Sequence, residues 1–164
     1  MPPCIDVYVW IPQPSPADFR LFIDRYVDVA DPGDDRLAAF QRVFVDSVGS
    51  AEDRAELDTL ARTHDAPSGV FSLYVHAREH EGAIITVTED GSAVLGLSVD
   101  DPDGSLEVDA QATALMKRLQ IEFSAAAAIY GTELPPPHSA SEWNTAWPVT
   151  ARVGARCGST DRPA

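Results

Sequence analysis

The chain has 164 residues, with 26 acidic side chains against 12 basic ones and a formal net charge of −14. That length suits one domain able to bury a core without disulfide or metal staples, and an apolar content of 45% excludes a disordered acidic solvator. A single lysine, Lys117, and arginines scattered among acids lack the clustered cations that phosphate backbones and anionic membranes require, so a basic protein is the partner class that the charge favours.

Residues 5–11 alternate strictly, with Ile5, Val7, Val9 and Ile11 on one side and Asp6, Tyr8 and Trp10 on the other, the pattern of a strand. Pro12, Pro14 and Pro16 end it. Ser15 with Asp18 three residues on forms a capping box, and Phe19, Phe22, Ile23 and Tyr26 recur at helical spacing, which predicts a helix over 16–29. After the turn at 31–34, a second helix is expected over about 35–48, with Gly49 as its C-cap. Ser50 and Asp53 open a third helix. Its buried stripe is read as Leu57, Leu60, Ala61 and His64, and its outer face as an Arg54–Asp58–Arg62 ion-pair ladder.

The period then shortens to two. Residues 70–78, 83–89 and 93–99 read as strands, the last two joined at Asp90-Gly91, a pair suited to a type I′ hairpin. A long helix is expected over about 107–130, with Val108, Ala112, Leu115, Leu119, Phe123 and Ala127 as its stripe and Gly131 as its stop. The order β-α-α-α-β-β-β-α predicts an α+β fold, a four-stranded, mainly antiparallel sheet with helices packed on one face. This single domain is expected to span 1–134. From Pro135 a proline-led tail follows, docked through Trp143 and Trp147 and then frayed. Cys4 and Cys157 lie outside the patterned segments and are read as free thiols. No leader is legible in residues 1–6, and no apolar run nears the roughly 18 residues of a membrane span, so a cytoplasmic protein is expected.

Three features bear on function. His76-x-x-Glu79-His80 matches the H-x-x-E-H pattern of inverted-type zinc peptidases, in which two histidines one helical turn apart hold the metal. Here the preceding alternation makes the segment a strand end, where residues four apart stand about 13 Å from each other. Asp101-Pro102-Asp103-Gly104 lacks the flanking acids of a calcium loop, since Val99 and Ala110 stand at those positions. The second feature is the acidic loops, Asp31, Asp34 and Asp35 among them, which would steer a cationic partner. The third is the sheet face carrying Tyr8, Trp10, Tyr74, His76 and Arg78, residue types enriched at binding hot spots. That face is either a partner surface or a second core covered by the returning tail.

Single-strand RNA binders also stack bases on aromatic sheets, but the charge opposes that use. No nucleophile elbow, phosphate loop or dinucleotide fingerprint is present, and no cofactor is implied. The expected function is a non-catalytic, acidic binding module of the bacterial immunity or inhibitor type, masking a basic partner such as a toxin. Its contact residues would be Tyr8, Trp10, Tyr74, His76, Arg78, Asp31, Asp34 and Asp35. The alternatives are a small metal-dependent enzyme or metal-binding protein on His76, Glu79 and His80, and a homodimer formed through the aromatic face.

Overall fold

The computed structural model describes residues 3–154 and has an α+β architecture. Its antiparallel sheet has six strands where four are expected. The elements run β1 (Cys4–Ile11), α1 (Pro16–Tyr26), α2 (Arg36–Phe40), α3 (Ala51–Asp58), β2 (Phe71–Val75), β3 (Gly82–Val87), β4 (Ala93–Asp100), α4 (Leu106–Glu122), β5 (Ala127–Thr132), α5 (Ala140–Thr145) and β6 (Ala151–Val153). Across the sheet the strands lie in the order β2-β3-β4-β1-β5-β6. Strand β1 is central, with β4 on one side and β5 on the other. Period-two alternation explains the layering. Ile5, Val7 and Val9, with Leu95 and Leu97, turn inward onto Phe22, Ile23, Leu115 and Leu119 of α1 and α4. Each such buried side chain contributes about 1.5–3 kcal/mol.

Both expected capping boxes form. Asp18 N–H donates to the Ser15 hydroxyl at 3.3 Å while Ser15 N–H donates to the Asp18 carboxylate at 2.8 Å, and Ser50 with Asp53 repeats the exchange. Helix α1 stops at Tyr26, short of the expected 29, because Val27 leaves it to bridge Ala77. The second helix passes into a π-helical turn over Gln41–Val45, closed by the Asp46 N–H on the Gln41 carbonyl at 2.8 Å. Helix α3 ends at Asp58, whose carboxylate is taken by the Ser68 hydroxyl and the Gly69 N–H. The chain therefore turns away, His64 is exposed, and the expected ion-pair ladder does not form. The β3–β4 connection is a three-residue loop between Thr88 and Ser92 in which Gly91 alone has positive φ, not a type I′ turn.

The largest departure lies at 123–132. The helix stops at Glu122, Ser124 takes φ of +50°, and the Ala125 N–H closes on the Gln120 carbonyl. Residues 127–132 then form β5 beside β1. Helix α5 follows on the opposite face of the sheet from α1 and α4, so helices do not occupy one face only. The segment expected to fray contains β6, which pairs with β5. Cys157 lies outside the described residues. No described helix is long and apolar enough to cross a membrane.

The return of the chain needs room at Gly131. A Cβ there would run into the Pro148 carbonyl oxygen and press on the Val149 Cα, both backbone atoms that cannot rotate aside. Gly131→Ala is therefore expected to destabilise the protein by about 1–3 kcal/mol, measured as a lowered midpoint of chemical denaturation.

Candidate functional site

The outer face of the sheet carries Asp6, Tyr8 and Trp10 from β1, Ser72 and Tyr74 from β2, and Ile84 and Thr86 from β3, as their alternation dictates. Much of it is covered. After β5 the chain crosses back over this face and seats Leu134 and Trp143 against Tyr8, Trp10, Val94 and Ile129 in a second core. Tyr8 is 0% exposed and Trp10 5%. Neither can meet a partner, and their expected role as contact residues is corrected to a structural one. Tyr8 lies over Gly96, where a Cβ would strike its ring, and its hydroxyl donates to the Leu134 carbonyl at 2.5 Å. The Trp10 and Trp143 rings lie 5.4 Å apart. Trp147, the other expected docking residue, is 84% exposed.

Polar contacts fix the edge of this strap. His138 Nε2 sits 2.8 Å from the Ser72 hydroxyl, which lies 2.7 Å from that of Thr86. Burial and the nearby Arg62 guanidinium hold the His138 imidazole below its ordinary pKa, against the opposite pull of Glu142. Arg62 itself donates to Glu142 and to the Pro136 carbonyl.

Where the strap leaves the face bare, a groove of about 680 Å³ opens. Asp6, Glu81 and Glu133 line it, Tyr74 and His76 stand at its wall, and no lysine or arginine is among its described lining residues. Asp6 is 9% exposed. It accepts from the Ser98 hydroxyl at 2.5 Å and from the Leu134 backbone, both uncharged donors. Burial pushes its carboxyl up to about 6, the two hydrogen bonds opposing and the Glu133 charge adding to the rise. The sequence reading missed Asp6 and Glu133 as site residues. The available signal was Asp6 itself, a carboxylate placed by strand parity on the aromatic side of an otherwise buried strand.

The other expected site residues divide. Tyr74 is 57% exposed beside the groove. His76 donates from Nδ1 to the Asp31 carbonyl at 2.9 Å, its N–H reaches the Pro32 carbonyl, and the Asp31 carboxylate lies 3.8 Å away at the rim. Asp34 is engaged by Arg36 at 2.7 Å, which holds its carboxyl below the usual range. Asp35 is exposed at the start of α2, and Arg78 clamps the Val27 carbonyl at 3.0 Å. Asp31, Asp34, Asp35 and Arg78 are not part of the groove lining, and Asp31 reaches it only through its contact with His76.

The H-x-x-E-H segment is a strand end and a bend, not a helix. His76 faces the groove, whereas His80 lies against the Tyr26 ring, near Arg118 of α4. Among the described residues no group of three or more His, Cys, Asp or Glu side chains converges as a metal ion would need. No protein-family model, no curated protein and no solved structure matches this chain.

Proposed function

We propose that the protein is a non-catalytic, acidic binding module of the immunity or inhibitor type, whose outer-face groove receives basic side chains of a protein partner and masks them. The observation that carries this reading is the buried Asp6 carboxylate at a groove that also holds Glu81 and Glu133 and has no lysine or arginine among its described lining residues. An ammonium or guanidinium group placed about 4 Å from such a carboxylate gains about 4 kcal/mol at the effective dielectric of a protein surface. The net charge of −14 steers the encounter. Tyr74, large and with few rotors, supplies contact area at the wall. Asp31 stays in the reading as a rim charge, while Tyr8 and Trp10 leave it.

The test uses a photoreactive phenylalanine analogue at position 74, with the same analogue at the remote, exposed Leu106 as control. Position 74 should trap a basic protein, and the purified pair should bind more weakly as salt rises. Exchanging Glu81 and Glu133 together for glutamine should weaken binding by about 10- to 100-fold. Equal affinity of that double variant, or trapping through position 106 alone, would overturn the proposal.

A further inference from the structure

The acidic groove is one of two concavities that meet at Tyr74. The second, about 360 Å³, shares Tyr74, Leu134, Pro135 and Pro136 with it and continues to Trp147. Its character is the reverse of its neighbour's. The charged side chains within it, Arg62 and Glu142, are paired with each other at 2.8 Å. The remaining wall is largely apolar, built from Leu60, the three prolines, Ala146 and the Trp147 ring. Trp147 stands almost fully in water, while Trp10 and Trp143 are buried. An exposed tryptophan leaves roughly 150–250 Å² of contact area unused, and the one here adjoins a rigid proline wall and a second exposed aromatic ring.

The geometry points to a two-part recognition surface, in which an extended segment of the partner crosses Tyr74 with a lysine or arginine in the acidic groove and an apolar side chain against Trp147 and Pro135–Pro137. This inference rests on the binding-module reading and adds to it the kind of segment recognised. Charge complementarity selects the occupant. Asp6 is nine-tenths buried and its donors among the described residues, the Ser98 hydroxyl and the Leu134 backbone, are neutral, so the groove end favours a cation. The neutral Arg62–Glu142 pair leaves the other end selective for shape and apolar area. A second copy of this chain fits poorly, because it would bring another surface of net charge −14 to the same place.

The probes are end-blocked synthetic peptides carrying one arginine and one leucine separated by a serine spacer of varied length, with controls that keep only one of the two. Binding to the full chain is followed by amide chemical shifts at low salt. At the best spacing the paired peptide should bind about ten-fold more tightly than the arginine-only control. Trp147→Ala should abolish that advantage and leave the arginine-only affinity unchanged. Glu133→Gln should weaken both peptides. If Trp147→Ala leaves the paired peptide unaffected while Glu133→Gln still weakens it, the two-part surface is wrong and the acidic groove stands. If no arginine peptide binds and Glu133→Gln changes nothing, both the inference and the reading beneath it fall. Trp147 is exposed, so its truncation tests contact without threatening the fold.

Discussion

Truncation of Trp143 to alanine is expected to cost about 3–5 kcal/mol of stability, the range for removing a large aromatic side chain from a core. Trp143 is fully buried and packs on Trp10, and it is the buried side chain of the six-residue helix α5. A helix that short has no stability of its own in water. Its place over the sheet therefore depends on this ring, together with Leu134 and the contact of His138 with Ser72. The loss should appear as a lowered midpoint in chemical denaturation. Faster proteolysis within residues 134–150 and a red shift of Trp10 emission should accompany it as the strap loosens. A cost below about 1 kcal/mol would show that the polar contacts alone hold the strap, and that the second core is not what covers Tyr8 and Trp10.

Asp6→Asn is expected to act in the opposite direction and to do so only above acidic pH. Burial pushes the Asp6 carboxyl up to about 6 in the folded protein, from the ordinary carboxylate value of about 3.9 when unfolded. The folded state thus binds the proton more tightly, and stability falls as pH rises from about 4 to above 6. At roughly 1.4 kcal/mol per pKa unit the full penalty approaches about 3 kcal/mol. Asparagine keeps one acceptor oxygen, offers an amide N–H that the Ser98 hydroxyl can accept, and carries no charge, so the variant should gain about 1–3 kcal/mol at pH 7.5 and close to nothing at pH 4. Denaturation of both proteins across that range measures the difference and cancels the titration of all other groups. The same variant should bind the arginine peptides more weakly. A residue that lowers stability while strengthening binding is the behaviour expected of a functional charge. A gain independent of pH would place the effect in packing and remove Asp6 from the electrostatic account.

The parts of the fold legible in the sequence are those governed by neighbours along the chain. Ser15 with Asp18 and Ser50 with Asp53 mark helix starts, because a hydroxyl and a carboxylate three residues apart satisfy the first free N–H groups wherever the helix later packs. Strands β1 to β4 are legible because alternation between a buried core and a second face shows directly in residue type. Residues 125–128 misled for a physical reason. Four consecutive alanines favour helix over every other conformation, and their apolar spacing continues the stripe of α4. The slot beside β1 accepts small side chains opposite Trp10 and Val9, and pairing there outweighs local preference. The three-residue strand β6 has no period long enough to read.

The candidate site divides along the same line. The sequence alone determined the charge of −14, the lack of cationic clusters, and the parity that sets Asp6, Tyr8, Trp10 and Tyr74 on one face of a sheet. It could not determine which of those four would be covered. That depended on where the chain beyond 134 returned, and the return is fixed by contacts across more than a hundred residues, such as Tyr8 with Leu134 and Trp10 with Trp143. Tertiary packing buried the two aromatic residues of β1 and left Tyr74 and Trp147 in water. It also enclosed Asp6 with no counter-ion among the described residues and brought Glu81 and Glu133 to the same groove. Alternation along a strand reports which face a side chain takes, whereas exposure on that face depends on what the rest of the chain lays over it.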